Sequence, residues 1–233
     1  MLTRLAGFAL APVLLVQGRR VRRDTPVLPE PPGPREGQAG AGRPLRLLIL
    51  GDSAAAGVGA AHQDEALAGR LVAALAGDFA LEWRLIARTG ATTAGTLRRL
   101  DGEPVGRWDV VVTSLGVNDV VGRIGREAWL ERQRVLVARI RELCRAQLVV
   151  LSGLPPMHGF PALPQPLRWY LGRRAREFDA GLADWARLES GVIHVPADLP
   201  DPRGLMAPDG FHPGPPGYAL WAERVARAIQ VHV

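Results

Sequence analysis

The chain has 233 residues, of which 47% are hydrophobic and 22% charged, with a net charge of +6; this is the composition of a globular protein, of a size common for one α/β domain. All 29 basic residues are arginine, which excludes a Walker A lysine or a Schiff-base lysine, and the single cysteine, Cys144, excludes an intrachain disulfide. Residues 1–46 carry eight Arg against three acids, a balance of +5, while the remainder has 21 Arg against 20 acids, a balance of +1; so nearly neutral a main part argues against nucleic acid as a partner.

The chain begins with an apolar run, Leu5 to Val16, followed by Arg19, Arg20, Arg22 and Arg23. Twelve residues are too few for a helix to span a bilayer, which takes about 20. A cleaved signal peptide carries its charge before the apolar run, and here the order is reversed. Arginines beside an apolar segment are held on the cytoplasmic side and attracted to anionic lipid. Residues 1–25 are therefore expected to be a peripheral membrane anchor of a cytoplasmic protein, with an uncleaved signal anchor as the alternative. Residues 26–44 are rich in Pro and Gly without periodicity and read as a semi-rigid linker, leaving 45–233 as the main domain.

That domain opens on Leu45 to Gly59, LRLLILGDSAAAGVG. Leu47, Leu48, Ile49 and Leu50 form a continuous apolar run, as in a parallel strand covered on both faces, and it stops at Gly51-Asp52-Ser53. In open α/β sheets the ligand crevice lies beyond the carboxyl ends of the strands, so Ser53 is a candidate nucleophile. The same tripeptide is also an ordinary turn, and partners elsewhere in the chain must decide between the two.

Gln63 to Ala76 has helical spacing and ends at Gly77. Ala80 to Ala87 reads as a second strand running into Thr89-Gly90, Thr92 to Leu100 as a short helix, and Trp108 to Leu115 as a third strand ending in Gly116-Val117-Asn118-Asp119. Arg126 to Cys144 is amphipathic, with Trp129, Val135, Leu136, Ile140 and Leu143 expected toward the core. Leu148 to Leu151 is a fourth strand. Gly153 to Pro166 holds five prolines and His158, and its position after a strand makes it an expected pocket wall. A helix around Leu167 to Leu188, a short edge strand at Val192 to Val195, the stretch Asp209-Gly210-Phe211-His212-Pro213 and a last helix from Pro216 to about Ile229 complete the chain. The alternation predicts a three-layer α/β/α sandwich on a five-stranded parallel sheet.

Gly51-Asp52-Ser53, Gly90, Gly116-Val117-Asn118-Asp119 and Asp209-Gly210-Phe211-His212 stand in order at predicted strand ends. In this the chain resembles the SGNH (GDSL) hydrolase family over roughly residues 46–233, and the resemblance implies that family's flavodoxin-like fold. It implies Ser53 as nucleophile, His212 as general base and Asp209 as the acid that orients it. It further implies an oxyanion hole from the Ser53 amide, the Gly90 amide and the Asn118 side chain. Such chemistry needs all of these: a serine hydroxyl attacks only when a base takes its proton, the base needs a carboxylate to fix its tautomer, and converging donors stabilise the tetrahedral oxyanion. Thr89 stands where many members have Asn; the donor implied is the Gly90 backbone amide, which this change leaves in place.

The other serines, Ser114, Ser152 and Ser190, lie in predicted strands or after a helix. Among the remaining histidines only His158 lies in the expected pocket wall, where it and Asp119 are candidate substrate contacts. No cluster has metal-ligand spacing, and neither metal nor cofactor is expected. The resemblance implies hydrolysis of small acyl or lipid-like esters, as by an esterase or lysophospholipase. A carbohydrate O-deacetylase, an acyl thioesterase and a non-catalytic membrane-tethered binding module are the alternatives on the same scaffold.

Overall fold

The computed structural model describes residues 10–102, 105–122, 124–197 and 204–233. Helix α1 (Ala11–Asp24) precedes strand β1 (Glu36–Ala39). There follow β2 (Arg43–Gly51), α2 (Leu67–Leu75), β3 (Phe79–Ala87), α3 (Thr93–Gly102), β4 (Val110–Ser114) and α4 (Val117–Val121). The remainder is α5 (Arg126–Cys144), β5 (Leu148–Ser152), α6 (Leu167–Ala186), β6 (Val192–Val195) and α7 (Pro215–His232). The six strands lie in the order β1-β3-β2-β4-β5-β6, all parallel except β1, which pairs antiparallel with β3.

The sheet is covered on both faces, which is why β2 reads as an unbroken apolar run: Leu47, Leu48, Ile49 and Leu50 are all fully buried. Leu48 and Leu50 pack with residues of α3, α5 and α6, whereas Leu47 and Ile49 pack with those of α2 and α7. Successive strand side chains point to opposite faces, so one strand supplies both cores.

The sheet has six strands rather than the five expected. The extra one lies in the stretch read as a linker: residues 36–39 pair with Leu81 to Arg84 of β3. Composition hides it, because a four-residue edge strand with one half-buried side chain carries almost no apolar periodicity. Further back, Glu30 accepts hydrogen bonds from the Thr89 amide and hydroxyl, both at 2.8 Å, and pairs with Arg35 at 2.8 Å. Residues 30–39 thus lie against the sheet.

Two further expectations are corrected. Gln63 to Ala76 is not one helix: a 3-10 turn at Gln63–Glu65 is separated from α2 by the extended backbone of Ala66. On α5, Val135 is 48% exposed, and the buried polar residue Gln133 takes an inward position beside Trp129, Leu136, Val137 and Ile140.

Of the apolar N-terminal run, the part before Leu10 lies outside the described residues. Leu14 is buried against the main core, with Leu10 and Val21 packed beside it, and Gln17 exchanges hydrogen bonds with the Gln165 carbonyl (2.7 Å) and the Leu167 amide (3.0 Å). One face of α1 is thereby spent on the domain, while Val13, Leu15 and Val16 remain exposed. Among the described residues no helix is long and apolar enough to cross a membrane.

Candidate active site

The parallel register brings the carboxyl ends of three strands to one level, since Gly51 at the end of β2 pairs with both Ala87 of β3 and Ser114 of β4. The chain leaves β2 toward β3 on one side and reaches β4 on the other, so this is the topological switch point of the sheet, where a crevice opens. Ser53, the turn 88–91 and Asn118 follow those three ends. At Gly51 a Cβ would lie 2.4 Å from that of Ala55 and 2.8 Å from the Ser114 carbonyl oxygen, so the tight exit from the strand requires glycine.

Asp209 and His212 come from the segment before α7 and reach the same point. His212 Nε2 lies 2.9 Å from Ser53 Oγ, and His212 Nδ1 lies 2.6 Å from Asp209 Oδ2. With its Nδ1 facing a carboxylate the ring carries its proton there and leaves Nε2 as acceptor for the serine hydroxyl. Asp209 Oδ1 accepts the backbone amides of Phe211 (2.9 Å) and His212 (3.0 Å). Burial works against the Asp209 charge, but the His212 ring and these amides outweigh it and hold the carboxyl below the ordinary carboxylate range.

Gly90 has φ +78, a left-handed conformation that favours glycine, in the turn closed by the Ala91 amide on the Arg88 carbonyl at 3.0 Å. The Asn118 amide nitrogen donates to the Ala91 carbonyl at 2.9 Å and, more weakly, to Asp52 Oδ2 at 3.3 Å. It therefore bridges the Gly90 turn and the Ser53 turn.

Asp52, adjacent to Ser53, is a polar residue of the core that sequence reading passed over as part of a turn. Burial pushes its carboxyl up to about 7, against the Ala54 amide, which lies 3.1 Å from Oδ1 and favours the charged form. A turn aspartate normally faces water, and nothing in the order of residues marks this one as enclosed.

The structure does not bring Asp119 or His158 to the crevice as substrate contacts. Asp119 is buried and its Oδ2 accepts the Thr93 amide (3.0 Å) and hydroxyl (2.9 Å). Thr93 Oγ1 in turn accepts Trp129 Nε1 (3.1 Å) and Gln133 Nε2 (3.0 Å), a polar network that explains the inward Gln133. His158 is exposed on a 3-10 turn, Met157–Gly159, whose backbone is packed against Gly172 of α6 and so turns the ring away. Its neighbours Leu154, Pro155 and Phe160 line the crevice in its place. The other polar candidates are occupied elsewhere: Ser152 Oγ accepts Trp221 Nε1 at 3.2 Å, and His194 pairs with Asp179 at 2.8 Å.

Two spaces lie near the Ser53 turn. An apolar cavity of about 70 Å³ is walled by Leu115, Leu154, Phe160, Phe211 and Trp221, and Ser53 and His212 also line it. A separate cleft of about 1140 Å³ runs from Gly51, Gly90 and Ala91 along β3 and α3. Among the described residues no group of three or more His, Cys, Asp or Glu is placed to hold a metal ion.

The model of the GDSL-like Lipase/Acylhydrolase family matches residues 49–220, well over half of the chain and a stretch that contains Ser53, Gly90, Asn118, Asp209 and His212. A GDSL-like esterase of Mycobacterium tuberculosis is 29% identical over 206 residues, which are 80% of this chain and 62% of that protein. The chain thus spans less than two thirds of the length of that curated relative. Among solved structures, a lipase from a goat rumen metagenome superposes with a TM-score of 0.64 at 22% identity, covering 79% of this chain and 97% of that one. The psychrotrophic esterase EstA from Pseudoalteromonas superposes with a TM-score of 0.59 at 22% identity, covering 80% and 97%. At that identity the two structures speak for the fold.

Proposed function

The chain belongs to the GDSL-like lipase/acylhydrolase family, and on that premise we propose that it hydrolyses carboxylic esters with Ser53 as nucleophile, His212 as general base and Asp209 as the group that orients the base. The observation that carries this reading is the unbroken hydrogen-bond chain from Ser53 Oγ through both nitrogens of His212 to Asp209 Oδ2, with links of 2.9 and 2.6 Å.

In this mechanism Ser53 Oγ attacks the ester carbonyl carbon as His212 Nε2 takes its proton, and the carbonyl π electrons move onto oxygen. The Ser53 and Gly90 amides and the Asn118 side chain receive that oxyanion. Collapse of the tetrahedral intermediate expels the alcohol oxygen, which leaves with the proton held by His212. A water molecule then attacks the acyl-Ser53 ester, giving a proton to His212 and releasing the acid, and the proton returns to Ser53. The buried, charged Asp209 keeps the ring in the productive tautomer throughout and stabilises the imidazolium in each half-reaction.

The apolar cavity beside Ser53 supports an acyl chain as the group bound there, and its volume of about 70 Å³ supports a short one. The exposed Val13, Leu15 and Val16 of α1, together with the arginines at its end, support a peripheral and reversible contact with anionic membrane.

The test is a fluorophosphonate probe followed by peptide mapping, with p-nitrophenyl esters of rising chain length as substrates. Ser53 is the expected site of labelling, and Ser53→Ala is expected to lose turnover by several orders of magnitude while keeping its circular dichroism spectrum. Labelling at Ser152 or Ser114, or full turnover in Ser53→Ala, would overturn the assignment.

A further inference from the structure

The cleft on the Gly90 side of Ser53 is walled by five arginines, Arg35, Arg84, Arg88, Arg98 and Arg99, against two acids. The acids pair with particular members of the set, Glu30 with Arg35 at 2.8 Å and Glu36 with Arg84 at 3.4 Å. Neither Arg88 nor Arg98 meets a carboxylate among the described residues, and both are exposed to the cleft. The lining therefore counts three more arginines than carboxylates, in a domain whose charges as a whole almost cancel.

The position of these arginines is fixed by the same bonds that build the site. The Arg88 amide donates to the Gly51 carbonyl at 3.2 Å and its carbonyl accepts the Ala91 amide at 3.0 Å, so Arg88 is the first residue of the turn that presents Gly90. Arg98 lies on α3, which starts directly after that turn. A group held between them would therefore lie beside the oxyanion donors. It would also lie outside the apolar cavity, whose lining is mostly apolar, Leu115, Leu154 and Phe160 among it, and includes one guanidinium, that of Arg224, against the five of the cleft.

Resting on the reading of Ser53 as nucleophile, we propose that this cleft binds a phosphate carried on the alcohol half of the ester, while the acyl half occupies the apolar cavity. Guanidinium groups recognise phosphate through paired, charge-assisted N–H···O bonds. A phosphate monoester presents three acceptor oxygens and up to two negative charges, and so suits several arginines converging from a strand, a turn and a helix better than a planar carboxylate does. The cleft reads the leaving group, and the cavity reads the acyl chain.

The experiment compares two water-soluble monomeric esters, 1-butyryl-glycerol 3-phosphate and 1-butyryl-glycerol, on the full chain and on the Arg88→Gln/Arg98→Gln double variant. The expected result is a higher kcat/KM for the phosphorylated ester, expressed mainly in KM. The ratio of the two kcat/KM values should fall by about 10- to 100-fold in the double variant, the range for loss of hydrogen bonds to a charged group. Inorganic phosphate should compete with the phosphorylated ester beyond the effect of sodium chloride at equal ionic strength. Equal kcat/KM for the two esters, or a ratio unchanged by the double substitution, would overturn the proposal. A protein that cleaves neither ester would overturn the esterase reading instead. Titration calorimetry of glycerol 3-phosphate into Ser53→Ala then decides the cleft alone: binding that disappears with Arg88→Gln/Arg98→Gln supports it, and no binding sinks it.

Discussion

Asp209 holds His212 at two points: its Oδ2 is 2.6 Å from the ring Nδ1 and its Oδ1 accepts the His212 backbone amide at 3.0 Å. One carboxylate thereby sets both the tautomer of the ring and the position of the backbone that carries it. The Asp209 side chain is 1% exposed and that of His212 17%, so the pair is shielded while the ring keeps access to the crevice.

Asp209→Asn should preserve the backbone bond but offer an amide nitrogen or a neutral oxygen to the ring, which favours the wrong tautomer. A loss of about 10⁴-fold in kcat is expected on that account. Combined with Ser53→Ala it should cost little more than the worse single change, because the residues act as one unit. Steady-state kinetics of the two singles and the double decide this, and multiplicative losses would show that Asp209 acts independently of Ser53.

On the proposed mechanism Asn118→Ala removes an oxyanion donor, and it also removes the bond to the Ala91 carbonyl. The first loss predicts a kcat lower by about 10²- to 10³-fold; the second predicts about 1 kcal/mol of stability. Kinetics measured well below the melting temperature separate the two effects. A kcat close to that of the unaltered protein, with only the melting temperature lowered, would make Asn118 a purely structural bridge.

Asp52 gives the stability a pH dependence of definite sign. Its folded value of about 7 lies above the ordinary 3.8 because burial penalises the charge. Between those values the folded protein retains a proton that the unfolded chain has lost. Stability should therefore fall as pH rises from about 4 to about 7, at up to about 1.4 kcal/mol per unit of separation between the two values. Asp119, also raised by burial, acts in the same direction. Urea titrations at several pH values should show a flatter profile for Asp52→Asn, and a variant as steep as the parent would refute the assignment.

The N-terminal contact with membrane is tested by vesicle flotation of the full chain and of one beginning at Pro26. That start point retains Glu30, which holds the Thr89 amide and hydroxyl and so supports the turn carrying Gly90. Each arginine near an anionic leaflet contributes about 1 kcal/mol. The full chain should float with anionic vesicles and be released by salt, and the shortened one should stay in solution. Resistance of the full chain to salt and to alkaline carbonate would show an inserted anchor instead.

Elements whose signal is local are legible in the order of residues. β2 is legible because burial on both faces demands four successive apolar residues, α5 because its inward stripe repeats at helical spacing, and Gly51 and Gly116 because a tight exit from a strand leaves no room for a Cβ. Ser53, Gly90, Asn118, Asp209 and His212 are marked in the sequence only as the ordered motifs through which the chain resembles a known family. Whatever depends on enclosure and on long-range partners was set by packing alone. It made β1 a strand by giving residues 36–39 an edge of β3 to pair with, which four mostly polar residues do not announce. It turned Asp119 from a substrate contact into the acceptor of a buried network with Thr93, and faced His158 outward over Gly172. It also gathered Arg88 and Arg98 from a turn and a helix into one cleft beside Gly90. The physical reason is common to all four: burial and charge proximity are properties of the packed whole, and residues far apart in the chain acquire them only when the sheet sets its strand ends at one level.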